Sequence, residues 1–108
     1  MEKVMNIEYL NSENNAVFIK LSGDMDAYGC SKIGSDLENI VDPAVVQHIS
    51  LDIDDVTFLD SSGVGVIVFL FKRLKATGGT LEINNVNGQP KELIKLLRVG
   101  SVIPVRFK

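Results

Sequence analysis

The 108-residue chain contains no tryptophan, one cysteine, one histidine and three prolines. Cys30, alone, forms neither an intramolecular disulfide nor a cysteine-based metal set. His48, alone, leaves no His-rich metal site and only one base for a serine nucleophile to use. Long apolar runs are missing too. The longest, Val64 to Phe71, is interrupted by Gly65 and falls far short of the ~20 residues that span a bilayer. The opening residues, Met-Glu-Lys-Val-Met-Asn, lack the apolar core that follows the basic start of a secretory signal. These absences lead to the expectation of a cytoplasmic protein with no membrane contact. Only seven aromatic residues (five Phe, two Tyr) and a net charge of −3 speak against a nucleic-acid partner.

What is present is an ordinary globular balance, 45% apolar and 23% charged, on a length suited to one domain over residues 1–108. The charge is unevenly spread. Through Asp60 there are 12 acidic and 3 basic residues, whereas from Ser61 onward there are 2 acidic and 8 basic. The acidic half suits a basic protein partner, or is simply a solvated surface with local bias. Lys72, Arg73 and Lys75 read as the wet face of a helix.

Periodicity predicts an α/β domain. Val4 to Leu10 and Val17 to Leu21 read as strands joined by Asn11-Ser-Glu-Asn-Asn15, an antiparallel hairpin. Gly23-Asp24-Met25-Asp26 ends the second strand. A helix follows from about Ala27 to Val41, with Ile33, Leu37, Ile40 and Val41 on one face, and Pro43 closes it. His48 to Ile53 alternates as a strand, with Ile49, Leu51 and Ile53 on one side. A helix from about Ser61 to Thr77 stops at Gly78-Gly79. Thr80 to Asn85 is a strand, and Pro90 opens a third helix with Leu93, Ile94, Leu96 and Leu97 as its apolar face. Val102 to Phe107 is a last strand, with Pro104 marking a sheet edge. The order is ββαβαβαβ, a mixed sheet packed with helices.

The chemically loaded segment is Phe58-Leu-Asp-Ser-Ser-Gly-Val-Gly65. Asp60 is a preferred helix N-cap residue, so Ser61 and Ser62 fall in the first turn, where unpaired N–H groups and the helix dipole welcome an anion. A hydroxyl there suits phosphorylation. It equally suits a plain helix start, and the local residues leave both readings open.

Enzymatic alternatives fit less well. Asp52-Ile53-Asp54-Asp55-Val56, read as a polar loop after a strand, resembles the nucleophile loop of haloacid-dehalogenase-like phosphatases, with Asp52 and Asp54 as nucleophile and acid/base around Mg²⁺. After Asp60, however, the chain offers only Glu82 and Glu92 as further acids. His48 falls at the far end of its strand from Ser61 and Ser62. Gly63-Val-Gly65 lacks the Gly-Lys-Ser/Thr ending of a phosphate-cradling loop. Cys30 is most simply a packed thiol.

Taken together, the Gly23-Asp-Met-Asp26 turn, the Ile49 to Gly65 strand and hinge, the Gly78-Gly79 stop and the apolar helix before a final strand resemble STAS domains, and among them bacterial anti-sigma factor antagonists. The resemblance covers roughly residues 4 to 107. It implies a single-domain STAS-like α/β fold, no enzymatic activity, no cofactor and no metal. It also implies a module switched by phosphorylation, with Ser61 as acceptor and Asp24, Asp26, Asp60, Ser62 and Gly63 at the partner surface. The implied partners are a serine protein kinase or anti-sigma factor with a histidine-kinase-like ATP-binding fold and a PPM-type (PP2C-like) phosphatase. The unphosphorylated form would bind the former and release its client. Many relatives continue with another helix where this chain stops, so either a homodimer or a partner at a less covered sheet edge or apolar patch is a further expectation. The rivals are the Mg²⁺-dependent phosphatase and a constitutive signalling scaffold in which Ser61 is never modified.

Overall fold

Alternation along the strands sets the two faces of the sheet, and the helices cover one of them. The computed structural model describes residues 5–12, 14–42 and 44–108. The elements are β1 (Asn6–Asn11), β2 (Ala16–Met25), α1 (Ala27–Ile40), β3 (His48–Leu59), α2 (Ser61–Ala76), β4 (Thr80–Val86), α3 (Gly88–Leu96), a 3-10 turn (Val99–Ser101) and β5 (Val105–Phe107). Val4, Glu13 and Pro43, assigned above to the first strand, the hairpin turn and the helix stop, lie outside the described residues.

The sheet has five strands in the order β1-β2-β3-β4-β5. β1 pairs antiparallel with β2, and the remaining neighbours are parallel. Because strand order follows chain order, successive right-handed crossovers bring their helices to the same side. Val17, Ile19 and Leu21 of β2, Ile49, Leu51 and Ile53 of β3, and Leu81 and Ile83 of β4 are buried there. They share one core with Ile33 and Leu37 of α1, Ile67, Leu70 and Leu74 of α2, and Ile94 of α3. The opposite face stays wet and is mostly polar, with Leu10 and Phe18 exposed on it: Ser50 donates to Glu82 at 3.0 Å, Arg106 pairs with Glu82, and Lys20 pairs with Asp55 at 3.2 Å.

The fold corrects four expectations. β3 continues past Ile53 to Leu59, so the Asp52 to Val56 segment is strand and not loop. Pairing with β2 shifts register between Lys20 and Ser22 and again between Gly23 and Asp24, each time with one extra residue on β3. These bulges place Asp54-Asp55 and Thr57-Phe58 as consecutive uncovered residues and return Val56 and Leu59 to the core. β2 itself extends through Gly23-Asp24 to Met25, leaving Asp26 alone as the junction. Leu96 and Leu97 are exposed, and Pro90 and Ile94 supply the buried face of α3. The last strand is only Val105–Phe107, because Val102 and Ile103 are taken up by the 3-10 turn, whose end is closed by their N–H groups bonding the Val99 carbonyl at 3.0 Å.

Candidate functional site

At the last register position of β2 and β3, Met25 lies beside Leu59, and neither exposes any surface. Each buried side chain anchors its strand end by about 1.5–3 kcal/mol of apolar burial. Each is followed by an aspartate that caps a helix. Asp26 accepts from the Gly29 N–H at 2.8 Å, and Asp60 accepts from the Ser62 and Gly63 N–H groups at 2.9 and 3.2 Å. The two helix starts are therefore neighbours built on one pattern, Asp-x-x-Gly, at 26–29 and 60–63.

The glycines of this pattern are required by close approach. A Cβ on Gly63 would lie 2.4 Å from Leu59 Cδ1 and 2.6 Å from the Met25 carbonyl oxygen. On Gly29 it would lie 2.2 Å from the Asp24 carbonyl oxygen. Gly63 is thus buried beneath the hinge. It seats α2, so the partner contact expected of it would be made by backbone and not by a side chain.

The other hinge residues are accessible to differing degrees. Ser61 is exposed, while Ser62 and Asp60 are half-buried. Asp24, also half-buried, accepts from the Thr57 hydroxyl at 2.7 Å across the strands. The exposed aromatics Phe58 and Tyr28 flank the acidic turn, Phe58 in register with Asp24 and Tyr28 in the first turn of α1. Asp24, Asp26, Asp60, Ser61 and Ser62 are brought to one end of the sheet.

Asp52 and Asp54 are not part of this group. Asp52 accepts from the Asp54 N–H at 2.9 Å and from Asn85 at 3.2 Å. Asp54 is held by the Asn87 amide at 2.8 Å and by Lys108 Nζ at 3.0 Å. Their oxygens tie β3 to β4 and to the end of β5. Among the described residues no cluster of three or more His, Cys, Asp or Glu side chains could hold a metal ion. His48 sits at the start of the 12-residue β3, bonded to Thr80 at 2.7 Å, and Ser61 follows its other end. That is a separation of roughly 35 Å along the strand.

Gln89 is a hinge residue that sequence reading missed. Past Asp52, β3 has no β4 partner. The Gln89 side chain stands in for one: its Oε1 accepts from the Leu59 N–H and its Nε2 donates to the Leu59 carbonyl, both at 2.7 Å. A lone glutamine gives no sequence signal for such a role. Gln89→Ala leaves both Leu59 groups without these partners, and we expect a stability loss of about 1–3 kcal/mol. Chemical denaturation measures it, and faster amide exchange at Leu59 localises it.

Cys30 reports the local field. Partial burial raises its thiol pKa, and the nearby carboxylates of Asp60 and Asp26 raise it further. The thiol is therefore mainly protonated at neutral pH and slow to alkylate. Ser61→Asp adds another negative charge beside Asp60. The pH midpoint of Cys30 alkylation by iodoacetamide should move upward in this variant, and an unmoved midpoint would mean that position 61 lies outside the thiol's field.

Comparison with known proteins places the family and the fold. The STAS domain family matches residues 8–107. An anti-sigma-B factor antagonist of Bacillus subtilis (strain 168) is 26% identical, over 96% of this chain and 93% of its own length. Two solved structures share the fold. The anti-sigma factor antagonist from Mycobacterium paratuberculosis superposes with a TM-score of 0.81 at 15% identity, covering 94% of this chain and 85% of its own. The Bacillus cell fate determinant SpoIIAA in its phosphorylated form gives 0.72 at 20% identity, covering 93% and 90%. No helix among the described residues is long and apolar enough to cross a membrane.

Proposed function

This chain belongs to the STAS domain family, and from that premise we propose that it is a phosphorylation-switched protein-binding module of the anti-sigma factor antagonist kind, with Ser61 as the acceptor. The observation that carries this reading is the exposed hydroxyl of Ser61 between a capping carboxylate and a helix start, with Asp24 and Asp26 beside it. The relatives' names and the phosphorylated SpoIIAA structure support it.

The switch follows from where the charge goes. The Ser61 oxygen attacks the γ-phosphorus of ATP on a serine kinase with a histidine-kinase-like ATP-binding fold. The P–O bond to ADP breaks, and the hydroxyl proton passes to a base on the kinase. The product carries roughly −1.5 to −2 charges. The Asp60 carboxylate already occupies the N–H groups of Ser62 and Gly63. The helix start therefore has little left to neutralise a phosphate, which projects into solvent and adds to the field of Asp24, Asp26 and Asp60. A partner seated on Phe58, Tyr28 and the acidic turn meets repulsion without any rearrangement of the domain. The unphosphorylated module binds the kinase or anti-sigma partner and releases its client, and a PPM-type phosphatase restores that state by hydrolysis. In this reading the chain is a substrate and not an enzyme, because Asp52 and Asp54 serve the sheet.

Incubation with ATP and the histidine-kinase-fold serine kinase of the same genome, followed by mass spectrometry, tests the assignment. Phosphate should appear on Ser61, persist in Ser62→Ala and vanish in Ser61→Ala. Phosphate on Ser62, or none at all, would overturn it.

A further inference from the structure

Two glycines stand inside helices without a steric reason to be there. Gly34 in α1 and Gly65 in α2 have nothing within 4 Å of where a Cβ would sit. Neither has a positive φ. Gly29 and Gly63, by contrast, are forced by contact. A glycine in a helix interior weakens the helix relative to alanine, so the fold gains nothing from these two.

Both line one groove between α1 and α2, about 300 Å³ in volume. Leu37, Val66, Phe69 and Leu70 give it apolar walls, Ser62 lies at one end, and Glu38 and Arg73 lie at the other. The eleven helical rises from Ser62 to Arg73 make the groove roughly 16 Å long. Phe69 is 53% exposed, and the Arg73 guanidinium lies over its ring at 5.6 Å. The missing Cβ atoms at Gly34 and Gly65 leave room for an incoming side chain between the helices.

We propose that this groove receives a large aliphatic side chain from an amphipathic helix of the same kinase-type partner that acts on Ser61. Its continuity with the hinge selects that occupant. A protein that brings an ATP phosphate to Ser61 must cover Ser62, and Ser62 is the groove's own end wall. Helix-in-groove docking needs an apolar trough with an anchor and a polar rim, and Phe69 and Arg73 are residue types enriched in such contacts. The glycines thus exchange helix stability for a docking slot. This inference rests on the Ser61 reading above, since it borrows that partner.

The test uses the full chain and the purified histidine-kinase-fold serine kinase of the same genome. Gly65→Leu fills the slot from α2, and Phe69→Ala removes its rim without touching the core. Both should remain folded, with Gly65→Leu melting at or above the wild-type temperature. Both should bind the kinase at least tenfold more weakly and accept phosphate on Ser61 correspondingly more slowly. Lys72→Ala, exposed and outside the groove, should match wild type. Wild-type affinity in both groove variants, measured beside a wild type that is phosphorylated on Ser61, overturns the groove proposal and leaves the switch standing. A kinase that does not act on wild-type Ser61 at all overturns both. If Gly65→Leu instead abolishes self-association in sedimentation with kinase affinity unchanged, the occupant is a second copy and the proposal fails. If the groove variants lose only a small apolar probe such as a fluorescent naphthalene sulfonate, with kinase affinity unchanged, the occupant is a small molecule and it fails likewise.

Discussion

Replacing Gly63 with alanine destabilises the fold by about 2–3 kcal/mol, the upper part of what overpacking costs, although the change adds only one methyl group. The reason is that the methyl would meet Leu59 Cδ1 at 2.4 Å and the Met25 carbonyl oxygen at 2.6 Å. The leucine can turn away, but the carbonyl belongs to β2 and moves only if α2 lifts from the sheet. Gly29→Ala, aimed at the Asp24 carbonyl at 2.2 Å, should cost as much or more. Against a total stability of roughly 5–15 kcal/mol these are large losses. The control is the same substitution where no contact arises. Gly65→Ala should stabilise by roughly 0.5–1 kcal/mol through helix propensity alone. Denaturant titration of the three variants, analysed by linear extrapolation, gives the comparison. Equal stability of Gly63→Ala and Gly65→Ala would contradict the account of how α2 is seated.

That geometry explains what the sequence could reveal. The helices and the β2 strand were legible because apolar spacing at periods of 3.6 and 2 survives in Ile33, Leu37 and in Val17, Ile19, Leu21. The hinge was legible because Asp60 caps a helix where an N-cap residue is expected. The second half of β3 was not, because two bulges break the alternation at Asp54-Asp55 and Thr57-Phe58. Without the pairing partner, such a run reads as a polar loop. Leu96 and Leu97 misled for a different reason. They continue a helical apolar pattern at the very end of α3, where the helix has already left the core. Gly29 carries a signal in the sequence, the repeat of Asp-x-x-Gly at equal distance from the two paired strand ends. Gln89 had none, since its role depends on where β4 turns away from β3.

Phosphorylation of Ser61 should weaken binding of the kinase or anti-sigma partner at least tenfold, a change of about 1.4 kcal/mol or more. The expected size comes from adding nearly two charges at a position where Asp60 already caps the helix and Asp24 and Asp26 lie alongside. Like charges brought together in an interface cost several kcal/mol. Salt should shrink the difference, because the hinge is exposed and its charges are screened over ~8 Å at physiological ionic strength. The domain itself should change little. The phosphate meets neither a buried group nor an unoccupied cap, so the melting temperature should stay close to that of the unmodified protein.

The most direct measurement is a calorimetric titration of that partner with three forms of the chain: unmodified, Ser61→Ala and quantitatively phosphorylated on Ser61. The switch predicts tight and similar binding by the first two and at least tenfold weaker binding by the third, with the gap narrowing as salt is raised. Equal affinity across all three forms would contradict it.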